Sequence, residues 1–213
     1  MRNWMAALAL SFPLAFLAQP AAALEAGKDY QVLSPTQPTE VKGKIEVLEF
    51  FAYTCPHCFD MEPELAAWER KLPKDVVLKR VPAVFSEKWE PMARVFYTLE
   101  ALGQLGKLHV DVFEALHVKN QNLAQPEAFF TWAAAQGLDR KRVQEVYTSF
   151  GIGMKVARAK QMSNSYKLSG VPALVVNGKY LTSGSLTGSH GKALAAVDQL
   201  IALERGTLTA SGR

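Results

Sequence analysis

Residues 45–58 read IEVLEFFAYTCPHC, a β-branched and aromatic run that leads straight into the only two cysteines of the chain. No glycine or proline interrupts the run before Pro56. A stretch of this kind reads as a buried strand, and the segment after it, FDMEPELAAWERKL (59–72), reads as a helix in which Pro63 produces a kink. The cysteine pair therefore sits at a strand-to-helix junction. This placement limits both the fold and the chemistry.

The rest of the pattern follows from that start. DVVLKRVPAV (75–84) reads as a second strand, and residues 24–40 as an extended arm or short edge strand. Residues 86–168 then change character. EPMARVFYTLEAL (90–102), LHVDVFEALHV (108–118), PEAFFTWAAAQ (126–136), DRKRVQEVYTSF (139–150) and GMKVARAKQMSNSYKL (153–168) are all helical segments, several closed by glycine. The strand signal returns in VPALVVNGKYLT (171–182), where Asn177-Gly178 marks a hairpin because both central residues of a type I′ turn need positive φ. A last helix is expected over 190–206, ending at Gly206, with a frayed tail after it. The outline is an α/β core with an antiparallel edge, interrupted by an all-helical insertion. The core pieces are 24–85 and 169–213, and the insertion is 86–168.

A pair of cysteines three apart can hold zinc, attach haem, staple a loop or exchange electrons. Zinc needs four ligands, and beyond Cys55, His57 and Cys58 the remaining histidines, His109, His117 and His190, show no completing spacing. A c-type haem needs histidine directly after the second cysteine, and Phe59 stands there. A structural bridge over so short a loop removes little entropy from the unfolded chain. Redox exchange explains the placement. With Cys55 at the helix cap, its sulfur meets unpaired backbone N–H groups and the positive end of the dipole, so the thiolate is favoured. Pro56 at the first helical position sacrifices no hydrogen bond. His57 adds a donor or a positive charge, and Cys58, one turn in, is more buried. A stabilised thiolate stabilises the reduced form and makes the disulfide more oxidising, about 30 mV for each 1.4 kcal/mol.

VLEFFAYTCPHCFDME (47–62) resembles the active-site segment of the DsbA family of thiol:disulfide interchange proteins, and GVPALVVNGKY (170–180) resembles that family's second signature. The resemblance spans nearly the whole chain after residue 23 and implies a thioredoxin-like fold with an inserted all-helical domain. It implies that Cys55 is the nucleophile, Cys58 its partner, and His57 in the Cys-Pro-His-Cys dipeptide a tuner of potential. It further implies that Val171 and a cis-Pro172 form a substrate-binding loop facing Cys55. Glu49 and Glu62 match acids that lie beneath the family's active site. The family's lysine position falls on Arg80, which cannot shed a proton as lysine can. Glu49 interrupts an apolar strand, so it either reaches solvent at the strand end or is buried and paired or protonated. Lys79 is expected on the opposite face of its strand.

The implied activity is oxidation of newly exported proteins by a Cys55–Cys58 disulfide, with no other cofactor and no metal. Alternatives are a reductase or isomerase on the same fold, or a peptide-binding chaperone with an incidental disulfide. Implied partners are reduced, unfolded exported proteins with cysteines and a quinone-linked membrane reoxidase of DsbB type, with the protein itself a monomer. Residues 1–23, with Arg2, the apolar run 4–18 and the small residues before Ala23, read as a signal peptide directing export to the periplasm. The formal net charge of +4 comes without a basic block, so no nucleic-acid partner is expected. Phe129, Phe130 and Trp132 read as helix core, His109 and His117 as surface or core residues of the helical block, and Trp89 and Met92 as possible walls of a groove beside the site.

Overall fold

The computed structural model describes residues 23–211, so the signal-peptide reading of residues 1–23 lies almost wholly outside the described residues. Five strands form one sheet: β1 (Gln31–Val32), β2 (Ile45–Phe51), β3 (Val76–Pro82), β4 (Ala173–Val176) and β5 (Tyr180–Thr182). Their order is β1-β5-β4-β2-β3. β2 runs parallel to β3 and antiparallel to β4, and all seven of its residues are buried. A strand covered on both faces has no need of alternating polarity, which is why the sequence of β2 is so nearly apolar.

The two faces of β2 meet different helices. Ile45 and Val47 pack with Met61 and Leu65 of α1 (Pro56–Glu69) and with Leu194, Val197 and Leu200 of the C-terminal helix. Leu48 and Phe50 point the other way, toward Ile152, Val156 and Ala159 of the helical block. That block comprises α2 (Glu90–Ala101), α3 (Leu105–His117), α4 (Pro126–Ala135), α5 (Arg140–Tyr147) and α6 (Phe150–Ser165). Its core includes Phe129, Phe130 and Trp132, all buried as expected. Two more helices, α7 (Gly184–Thr187) and α8 (His190–Ser211), complete the chain.

The hairpin between β4 and β5 forms as the sequence implies. Asn177 and Gly178 have φ of 51° and 66°, and the Lys179 N–H donates to the Val176 carbonyl at 3.0 Å. A side chain at 178 would collide with the arm, because its Cβ would lie 2.0 Å from the Gln37 carbonyl oxygen. Glu204 of α8, fully buried, accepts from Asn177 Nδ2 at 2.6 Å and from Lys179 Nζ at 2.9 Å, which ties the hairpin to the last helix.

Three boundaries differ from the sequence reading. α1 is unbroken across Pro63; it starts at Pro56, as the cap position of Cys55 implies, and ends at Glu69 rather than at residue 72. The helix expected over 139–150 stops at Tyr147, and Ser149 caps the next one through its Oγ, which accepts from the Ile152 N–H at 3.4 Å. Phe150 and Gly151 thus belong to α6. α8 continues through Gly206 to Ser211, because Gly206 does not adopt the left-handed conformation that would end it.

Candidate active site

The chain leaves β2 at Phe51 and turns through Ala52–Thr54 into α1. Cys55 occupies the N-cap with extended backbone (φ −92°, ψ 115°), and Pro56 follows at the first helical position. The Cys55 carbonyl accepts from the N–H groups of Cys58 and Phe59 at 3.1 and 3.2 Å, which closes the first turn. Both cysteines are free thiols, Cys55 half-buried and Cys58 fully buried, so the geometry is that of the reduced pair.

The two sulfurs have opposite acidities. The Cys58 thiol donates to the Cys55 sulfur, which is the largest influence lowering the Cys55 pKa to about 6, although partial burial opposes it. No amide makes a conventional capping hydrogen bond to this sulfur, yet the N–H groups of Cys58 and His57 and the charge of His57 favour its anion at longer range. The same S–H donation, with burial, pushes the Cys58 thiol far above its ordinary range. The negative charges of Cys55 and Glu49 add to that shift, while the Ala52 N–H, 3.5 Å from the Cys58 sulfur, opposes it. His57 itself is exposed, with Nδ1 3.8 Å from an Asp60 carboxylate oxygen.

A second loop closes over the pair. The Val171–Pro172 peptide bond is cis, and the Val171 carbonyl oxygen lies 3.5 Å from Cys55 Sγ. Val171 is a partner in the helical-block core as well as in the sheet core. A cavity of about 260 Å³ opens beside Tyr53 and Thr54, with Trp89, Met92 and Ala83 in its walls. A larger one, about 580 Å³, lies between β3 and helices α2 and α6; neither cysteine nor Val171 lines it.

Glu49, Glu62 and Arg80 come together in the interior, and the charge of Glu49 acts on Cys58. Glu49 and Arg80 are register partners on β2 and β3, so their side chains share a face. Arg80 Nε is 3.3 Å from Glu49, its Nη2 is 3.6 Å from Glu62 and its Nη1 is 3.1 Å from Glu69. Glu49 does not reach solvent. It is 0% exposed, and neither carboxyl oxygen has a hydrogen-bond partner, because the Arg80 contact is close but poorly aligned. Burial, reinforced by Glu62, pushes the Glu49 carboxyl up to about 8 against the pull of Arg80. Burial works against the Arg80 charge, but the three carboxylates outweigh it and raise its pKa. Lys79 faces the other way, 2.6 Å from Glu40 and 3.5 Å from Glu46.

Two histidines of α3 belong to the site although the sequence reading left them in the helical block. His117 Nε2 lies 2.7 Å from the Tyr53 carbonyl oxygen and its ring stacks on Phe59 at 5.4 Å, which braces the turn before Cys55. His109 lies between Tyr53 and Glu62. A signal existed for both. Leu108, Val112 and Phe113 are the buried stripe of α3, and His109 and His117 fall on that stripe at helical spacing. Among the described residues, no group of three or more His, Cys, Asp or Glu side chains is placed to hold a metal ion.

Comparison with known proteins adds to this geometry. Residues 73–190 match the family model described as DSBA-like thioredoxin domain. The chain is 42% identical over 202 residues to the thiol:disulfide interchange protein DsbA of Bordetella parapertussis, covering 94% of this chain and 95% of that protein. It is 39% identical to the protein of the same name from Pseudomonas aeruginosa, covering 96% and 98%. The crystal structure of Pseudomonas aeruginosa DsbA superposes with a TM-score of 0.84 over 87% of this chain and 97% of that one.

Proposed function

The chain belongs to the family of DSBA-like thioredoxin domains, and on that premise we propose how this thiol:disulfide oxidoreductase forms disulfide bonds. The working form is the Cys55–Cys58 disulfide. A substrate thiolate attacks the half-exposed Cys55 sulfur, the S–S bond breaks, and Cys58 leaves with the electron pair. Glu49, the adjacent buried acid, supplies a proton to the Cys58 sulfur and regains one from water. A second substrate thiolate then attacks the substrate's own sulfur in the mixed disulfide and expels Cys55. The substrate is oxidised by two electrons and the enzyme becomes the dithiol.

The observation that carries this reading is the split in acidity between the sulfurs, about 6 for Cys55 against a strongly raised Cys58. A sulfur stable as an anion is a good leaving group, and it makes the dithiol the favoured end of the exchange. Pro56 keeps the turn free of an unpaired donor, and His57 tunes the potential through its charge. Val171 and cis-Pro172 lie over Cys55 where an extended substrate segment can pair with the Val171 backbone. Arg80 holds the Glu49–Glu62 pair in place as a fixed charge and passes no proton, because its guanidinium does not deprotonate.

Residues 24–85 and 169–213 serve as the thioredoxin-like domain and 86–168 as the inserted helical domain. Export directed by residues 1–23 would bring the mature chain to the periplasm, where it acts as a monomer on reduced, unfolded proteins carrying cysteines. A quinone-linked membrane protein of DsbB type would restore the disulfide. No cofactor beyond the cysteine pair enters the chemistry.

The test is to mix the oxidised protein with a reduced peptide bearing two cysteines, then equilibrate the protein with glutathione buffers. One peptide disulfide should form for each enzyme dithiol, and half-reduction should occur in a strongly oxidising buffer. A pair that stays oxidised until the buffer is strongly reducing would point to a reductase instead.

A further inference from the structure

α3 sends His109 into the core, where it joins groups from three other parts of the chain. Tyr53 follows β2, Glu62 comes from α1 and Arg80 from β3. Glu49, Cys58 and Glu69 are the further titratable groups around them. The imidazole is 7% exposed and ringed by Phe51, Tyr53, Phe96 and Phe113 at centroid distances of 5.2 to 6.2 Å. In so dry a cage each hydrogen bond acts at full strength.

Both ring nitrogens are engaged. Nδ1 is 2.8 Å from the Tyr53 hydroxyl and Nε2 is 3.1 Å from Glu62 Oε1. Burial keeps the proton on Tyr53, which is thus able to donate to Nδ1, and Nε2 faces a carboxylate that, when ionised, only accepts. The tautomer that serves both contacts has Nδ1 accepting from Tyr53 and the ring hydrogen on Nε2. Glu62 thereby has two sources of positive field, the His109 N–H on one oxygen and Arg80 at 3.6 Å from the other. Glu49 has Arg80 alone, and both its oxygens lack a hydrogen-bond partner.

Two buried carboxyls that share one guanidinium do not both ionise readily. The extra donor breaks the tie. We propose that His109 is a positioning residue of the redox centre: its Nε2–H fixes Glu62 as the ionised member of the pair and so leaves the exchangeable proton on Glu49, beside Cys58. This rests on the oxidase reading above, since that reading gives the Glu49 proton its recipient, the Cys58 sulfur released when a substrate attacks Cys55.

The experiment follows the carboxyl carbon of Glu49 by NMR in reduced, full-length protein labelled with ¹³C-glutamate, with Glu49→Gln assigning the signal. In His109→Phe the cage stays filled but the donor is gone, so the proton redistributes and the proton affinity of Glu49 falls by about tenfold. His109→Gln keeps an N–H within reach of Glu62 and should return most of that loss. Glu62→Gln removes the competing charge without touching the cage and should also lower the Glu49 affinity. An unmoved or raised Glu49 titration in either His109→Phe or Glu62→Gln overturns the proposal, and the second variant decides the matter if the first does not fold. A wild-type protein that titrates as described but oxidises no dithiol peptide would instead sink the oxidase reading, because this titration does not depend on turnover.

Discussion

Cys55→Ser is expected to lower dithiol-peptide oxidation to the uncatalysed background, with the fold intact. The reason is chemical. Only sulfur can form and leave the mixed disulfide, and Cys55 is the accessible sulfur of the pair while Cys58 is sealed in the core. Cys58→Ala should behave differently. It removes the donor that does most to lower the Cys55 pKa, and a hydrogen bond to a charged group contributes about 1.5–3 kcal/mol. The Cys55 pKa should then rise by about one to two units, while the neighbouring amides and His57 keep it below an ordinary thiol. Exposed to glutathione disulfide, this variant should accumulate a stable mixed disulfide, because no second sulfur is present to resolve it. Mass spectrometry and the peptide assay check both outcomes. Residual turnover in Cys55→Ser, or rapid release of glutathione from Cys58→Ala, would contradict the assignment of roles.

The second large effect is expected at Arg80. Arg80→Met keeps much of the packing volume but leaves Glu49, Glu62 and Glu69 without their common cation. Removing one partner of a buried ion pair costs about 3–5 kcal/mol. The lower end applies here, because Glu69 is partly exposed and Glu49 already holds a proton at neutral pH. The pH dependence has a definite sign. A carboxyl whose folded pKa lies above its unfolded value costs nothing below the unfolded value, and its cost grows as pH rises toward the folded one. For Glu49 that window runs from about 4.3 when unfolded to about 8 when folded, and losing Arg80 extends it upward. Urea unfolding should therefore show a larger deficit at pH 8 than at pH 5, and adding Glu62→Gln should recover part of it. An equal deficit at both pH values would mean that Arg80 contributes packing alone.

Much of this arrangement is legible in the residues. The apolar run of β2, the cap position of Cys55 and the Asn177-Gly178 turn are local patterns, and the structure holds all three. The pairing of Glu49 with Arg80 is different: the family resemblance implies it, but the residues alone do not give the register of β2 and β3 that brings the two to one face. What the sequence hides depends on distant chain segments. The partners of His109 lie 47 and 56 residues away, so only its place on the apolar stripe of α3 hints at a role. The break between α5 and α6 was obscured because Gly151 and Gly153 look like punctuation while the effective signal is the cap at Ser149. Gly206 misleads in the same way. A glycine ends a helix by taking positive φ, and this one does not.

The central claim is that the Cys55 sulfur is an anion at neutral pH, and its ultraviolet thiolate absorbance, followed against pH in the reduced protein, tests that claim most directly. The account predicts a single transition with its midpoint near pH 6 that disappears in Cys55→Ser. A midpoint at about 8.5, where an unassisted thiol titrates, would contradict it.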